Sequence, residues 1–281
     1  MFYTLNRPEH TKNIHTPSTA MTPSAGFSAM RNRAAVAQEL RRLLPKIEGF
    51  SAGQTLPFGL SAIDHCLPQG GLPCGALHEV VPEESSTPAA FGFILALLAR
   101  ISSPYPTSMP PGARQRGPNG GREKLFVIMP AYGLREYGRP HGHGCNGLGL
   151  DPGRLILAET RHRNETLWAM EEALRSGAPA AVAGVIDKLD LKLSQRLHLA
   201  AVEAGLPLFL LRQEQFLESS AAATRWRVRP APAARDRFGL FARPRWHLRL
   251  ERCRNGRAGE WIVEYDHVAH RFSLAAALAD P

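Results

Sequence analysis

The chain has 281 residues, 44% of them hydrophobic, and a formal net charge of +9. That is enough for one α/β domain of roughly 200 residues with appendages and a real core, and no run of about 18 apolar residues offers a membrane span. Cys66, Cys74, Cys145 and Cys253 are scattered with no C-x-x-C pair, which excludes a legible disulfide or zinc framework and predicts reduced thiols in a cytoplasmic protein.

Residues 1–30 are rich in Thr, Ser, Pro and Asn and lack an apolar h-region, so they read as a disordered extension and not as a secretory signal. An N-terminal helix and linker follow over 31–54: Ala35, Val36, Leu40, Leu43 and Leu44 fall at helical spacing, with arginines opposite, until Pro45 stops the pattern. Gly70 and Gly71 mark a turn, and Ala76–Val81 reads as a strand. Ser86 or Thr87 can cap the next helix, with Pro88 at its first position, and the apolar run carries it to about Ile101.

The Pro- and Gly-rich stretch 102–123 reads as a surface insertion. The sequence then predicts strands at Lys124–Met129, Arg154–Glu159, Ala180–Asp187 and Pro207–Leu211, with helices at Asn164–Ser176 and Lys192–Ala204. A Gly-rich loop is expected over Gly133–Gly149. This alternation predicts an α/β fold with a mostly parallel sheet covered on both faces over 55–212. Beyond it, Arg225–Val228, Trp246–Leu250 and Trp261–Tyr265 alternate apolar and polar residues, with a hairpin signal at Asn255–Gly256. The segment 213–281 therefore reads as a basic, antiparallel β extension of the same sheet, ending in a helix at about Leu274–Ala279.

The turn after Ala76–Val81 is where a phosphate-binding loop, G-x-x-x-x-G-K-[ST], would stand. The run Pro82, Glu83, Glu84, Ser85, Ser86, Thr87, Pro88 is a degenerate version of it. Pro82 and Thr87 fill the glycine positions, Pro88 the lysine position and Ala89 the hydroxyl position. Two glutamates lie where phosphate would sit, and a proline has no N–H to donate.

His141, His143 and Cys145 in the HGHGC run lack the second half of a zinc site, so a glycine-rich loop is the plainer reading. No G-x-S-x-G turn supports a serine hydrolase. From Arg225 to Arg257, eleven arginines face only Asp236 and Glu251, an excess of nine that equals the whole net charge. Arg225, Arg227, Arg229, Arg245, Arg249, Arg252 and Arg254 are therefore the candidate binding residues. Three uses stay open: phosphate contact with DNA, with Trp226, Trp246 and Trp261 offering stacking faces; contact with a protein partner; or a solvated strand face. Reversing Arg245 and Arg249 to glutamate is expected to abolish binding without unfolding the chain.

Gly59–Asp64, the GGLPCG run Gly70–Gly75 and Glu79–Val81 resemble the opening of the RecA ATPase core, and the likeness extends over about 55–212. LRSGAPAAVAG (174–184), SQRLHLAAVEAGLPLFLLR (194–212), ATRWRV (223–228) and LRLERCRNGRAGEWIVE (248–264) resemble the ImuA family, RecA-like accessory proteins of bacterial damage-inducible mutagenesis cassettes. The resemblance implies Pro88 in place of the phosphate-loop lysine, and Ala131 and Tyr132 where the water-activating glutamate would follow its strand. Only Asp187 and Gln213 are left as positions for a residual Mg²⁺ or nucleotide role. Phosphoryl transfer depends on positioning and electrostatics, so the resemblance implies a non-enzymatic adaptor with no cofactor. Its role would lie in SOS-type error-prone repair by translesion synthesis, nucleoid-associated when active. The implied partners are ImuB and an error-prone C-family DNA polymerase, with RecA itself and DNA as further candidates. A nucleotide-binding recombinase-type ATPase and a cell-division inhibitor like SulA are the competing expectations, told apart by Mg-ATP affinity and by filamentation on overexpression.

Overall fold

The computed structural model describes residues 54–83, 86–102, 122–233, 238 and 243–275. The expected N-terminal extension and helix, Glu84, Ser85, most of the Pro/Gly-rich insertion, and the expected last helix beyond Ala275 lie outside these residues.

A short antiparallel ribbon pairs β1 (Thr55–Leu56) with β2 (Leu72–Pro73), and the one-turn helix α1 (Ser61–Asp64) lies between them in sequence. One nine-stranded sheet organises the rest, in the order β11-β10-β9-β8-β3-β7-β6-β4-β5. Six strands run parallel: β3 (Leu77–Pro82), β4 (Leu125–Pro130), β5 (Leu155–Thr160), β6 (Ala181–Val185), β7 (Leu208–Leu211) and β8 (Thr224–Pro230). The antiparallel strands β9 (Arg245–Cys253), β10 (Gly259–Asp266) and β11 (Arg271–Leu274) extend it past β8. This is the RecA-like α/β arrangement, with its antiparallel extension on the sheet itself. No described helix is long and apolar enough to cross a membrane.

Central strands buried on both faces read as continuous apolar runs, and β6 (AVAGV) and β7 (LFLL) do so. One face is covered by α2 (Thr87–Ser102), which carries an aromatic cluster: Phe93 lies 6.1 Å from Trp226 and 6.3 Å from Trp246 between ring centroids, and Phe58 5.3 Å from Trp226. Strand alternation sends Trp226, Val228, Leu248 and Leu250 into this core. The opposite face is covered by α5 (Arg163–Ser176) and α6 (Leu191–Ala204), burying Met170, Leu174 and Leu197 against β3, β6 and β7. Gly184 makes this possible, because a Cβ there would come within 1.9 Å of Met170 Cε.

Two expectations are corrected. The Gly-rich stretch 133–149 is not a loop throughout. It forms α3 (Ala131–Tyr137) and α4 (Gly142–Gly147), held by burial of Cys145 and Leu150 and by Tyr265, whose hydroxyl donates to the Leu148 carbonyl at 2.6 Å. Leu274 closes strand β11 instead of opening a helix, because Val263 on β10 pairs with it.

Candidate functional site: a closed loop and an arginine-lined sheet face

The strand order sets the C-terminal ends of β4, β6, β7 and β3 in a row, the edge where open α/β sheets bind ligands. A phosphate loop after β3 would need several free N–H groups. Here the Glu83 N–H donates to the Val228 carbonyl at 2.9 Å, extending the β3–β8 pairing by one residue. The Ser86 N–H returns to the Glu83 carbonyl at 3.0 Å, and the Ser86 hydroxyl turns to the same oxygen. Ala89 and Ala90 then donate to the Ser86 carbonyl, so the helix starts directly from Ser86 with Thr87 and Pro88 as its first residues. The N–H groups of Glu83 and Ser86 are thus bonded within the protein. The Glu83 carboxylate is also engaged: Arg249 binds it at 2.6 Å and Arg229 stands at 3.6 Å.

Asp187 lies two residues beyond β6, in a cleft shared with Pro130, Tyr132, Thr166, Lys188 and Phe216. Its Oδ1 is buried and accepts no hydrogen bond from the described residues. Lys188 lies over the Phe216 ring at 5.2 Å, and Arg163 donates to the Lys188 carbonyl at 2.7 Å. The structure therefore brings Asp187 and Tyr132 to one cleft. Gln213 stands at the end of β7, where its side-chain oxygen accepts from Gln215 at 2.9 Å. Glu83 and Ser86 turn instead towards β8 and β9.

The arginine strands are the larger surprise. Alternation places Arg225, Arg227, Arg229, Arg245 and Arg249 on the sheet face away from α2, but that face is not a free basic surface. Glu79, fully buried on β3, takes Arg212 and Arg225, each at 2.8 Å. Arg227 binds Glu214, and Glu251 at 3.2 Å. Glu264 takes Arg245 at 3.0 Å and Arg243 at 3.1 Å, and Asp266 takes Arg243 at 2.9 Å. The neutralising acids come mostly from β3, its following loop and β10, far away in sequence.

Two further arginines, with Arg225, pin the short loop before β8. Arg225 reaches the Glu218 carbonyl at 3.1 Å, Arg252 the Ser220 carbonyl at 2.8 Å and Arg254 the Ala221 carbonyl at 3.3 Å. Burial lowers the pKa of Arg252, and repulsion from Arg254 and Arg225 lowers it further. Arg212 is lowered by burial too, with Glu79 opposing.

The Arg245→Glu and Arg249→Glu pair is consequently no clean test of binding. Each reversal sets a second carboxylate against one already there, Glu264 or Glu83. The acids that neutralise the strands lie beyond the reach of any local reading of the sequence. Their one signal is glutamate inside an apolar strand, as in LHEVVP at 77–82.

No protein-family model matches the chain. Over 245 residues it is 34% identical to Protein ImuA of Caulobacter vibrioides strain NA1000 / CB15N, covering 80% of this chain and 90% of that protein. Protein ImuA of Caulobacter vibrioides strain ATCC 19089 / CIP 103742 / CB 15 matches with the same identity and coverage.

Proposed function

Because the chain belongs to the ImuA family, we propose that it works in damage-inducible mutagenesis as a non-catalytic RecA-like adaptor. In this reading it bridges ImuB and an error-prone C-family DNA polymerase during translesion synthesis. The observation that carries the non-catalytic part is the turn after β3. The N–H groups of Glu83 and Ser86 and the Glu83 carboxylate are bonded within the protein, and Pro88 stands where a lysine would neutralise phosphate. The run Pro82–Pro88 holds no lysine or arginine to supply the cation that phosphoryl transfer requires.

The paired arginines favour protein contact over DNA contact for Arg225, Arg227, Arg229, Arg245 and Arg249. Each of them already has a glutamate as a partner, and Arg225, Arg227 and Arg245 show little side-chain surface to a phosphate. Arg252 and Arg254 are read as loop clamps.

The test is a titration of the purified chain with a fluorescent ATP analogue and Mg²⁺. No saturable binding up to millimolar concentration is expected. Saturable binding abolished by Asp187→Ala would overturn the adaptor reading and make the chain a nucleotide-driven switch.

A further inference from the structure

Helices α5 and α6 pack against each other, α5 on β4 and β6 and α6 on β3, and their outer faces carry an arrangement that the fold does not use. On α5, Trp168, Glu171, Glu172 and Arg175 recur at helical spacing along one side. On α6, Lys192, Gln195, Arg196 and Leu199 do the same. Trp168 is 62% exposed, Leu199 58% and Leu191, at the start of α6, 45%. Single exposed apolar residues are ordinary, but several on one face mark an interaction site.

The charges on this face are layered. Glu171 is almost fully buried, at 4% side-chain exposure, and is gripped by Arg175 at 2.6 Å and by Arg196 through two nitrogens, Nε at 2.7 Å. The two guanidinium groups lie above it, 56% and 60% exposed. The carboxylate is underneath and the cations on top, so an approaching partner meets the cations first. Arg175 also binds Glu172 at 3.0 Å, but a guanidinium carries five N–H donors, and Arg196 in particular retains donors for a visiting carboxylate. The hydrogen bond to Glu171 raises the pKa of the already charged Arg196 further.

Two adjoining depressions open beside this pair, one against Trp168 and Leu197, the other against Leu199 and Lys192, with Leu193, Glu171 and Arg196 common to both. Two adjoining depressions between two helices, with Trp168, Leu193, Leu197 and Leu199 as apolar lining and arginines, Lys192 and Glu203 around them, have the elements of a helix-in-groove site. Its Trp and Arg are the residue types that dominate binding energy at interfaces.

We propose that the α5–α6 face is the docking groove for an acidic amphipathic helix of a protein partner, with its aliphatic side chains against Trp168 and Leu199 and its carboxylates on Arg196 and Arg175. This rests on the adaptor reading and adds the surface and the chemistry of the segment it receives.

The test uses the full chain with purified ImuB and purified C-family polymerase as separate probes, measuring affinity at low and high salt. Trp168→Ser with Leu199→Ser removes only exposed side chains and leaves the core intact. It is expected to weaken one of the two partners at least tenfold. Arg196→Gln is expected to weaken the same partner and to flatten the salt dependence of its binding. Unchanged affinity for both partners in these variants overturns the groove and leaves the adaptor reading standing. A wild-type chain that binds neither partner overturns the adaptor reading and the groove with it. Altered self-association or altered DNA binding, with both partner affinities intact, also overturns the groove, by giving the face to a different occupant.

Discussion

Replacing Glu79 with leucine is expected to destabilise the protein by about 3–5 kcal/mol, the usual cost of leaving a buried partner charge uncompensated. Both members of the Glu79–Arg212 pair are fully buried, and Arg212 Nη1 meets the carboxylate at 2.8 Å. Arg225, the second partner, reaches solvent and can be rehydrated, so the penalty falls on Arg212. The backbone carbonyl of Phe216 remains to Arg212 at 3.0 Å, but it carries no net charge. Removing both ends of the pair, in Glu79→Leu with Arg212→Met, is expected to recover at least about 2 kcal/mol of that loss, because no orphan charge is left inside. Urea unfolding followed through the buried Trp226 measures each corner of the cycle. For a domain of this size, the Glu79→Leu loss corresponds to a fall in Tm on the order of 10 °C. A Glu79→Leu cost below about 1 kcal/mol, or a double variant as unstable as the sum of the singles, would refute the buried-charge argument.

Burial holds His78 at a pKa of about 4, with the Pro73 carbonyl opposing, and holds His198 at about 4, with Arg254 adding to the effect. The unfolded chain takes up protons at its ordinary value near 6.5 while the folded one refuses them. Stability is therefore complete above about pH 6.5 and declines towards pH 4 by about 3 kcal/mol for each histidine. Urea midpoints between pH 7.5 and 4.5 read this decline, and His78→Gln should flatten it. Arg249→Leu leaves Glu83 with Arg229 and is expected to cost under about 1 kcal/mol, as exposed pairs do. Arg249→Glu sets two carboxylates together and should lower the Tm further; equal thermal stability of the two variants would mean that the Glu83 contact is not held in solution.

What the sequence made legible was whatever is set by neighbours in the chain. That no G-x-x-x-x-G-K-[ST] run follows β3 is visible in Pro82 and Pro88, and the inward Trp226 and Val228 follow from strand alternation. Helices α3 and α4 were hidden because six glycines between Gly133 and Gly149 speak locally for a loop, and tertiary burial of Cys145 and Leu150 overrides them. Strand β11 was hidden because its identity comes from its pairing with β10. The partners of the candidate arginines were hidden for a related reason. A charge excess counted along 225–257 omits Glu79, Glu83 and Glu264, which only the folded sheet brings to those arginines.

The position of β3 has one more consequence, for biosynthesis. This strand lies at the middle of the sheet, yet both of its neighbours are made long after it, and His78 meets its side-chain partner Thr224 146 residues later. While the chain emerges from the ribosome, β3 is a strand with two open edges whose Glu79 still lacks the arginines that neutralise it. It can close only when β7 and then β8 have been translated. Such non-local pairing folds slowly and exposes aggregation-prone edges in the interval. A nascent chain stalled before Thr224 would lack one flank of its central strand and would be a natural client for chaperones.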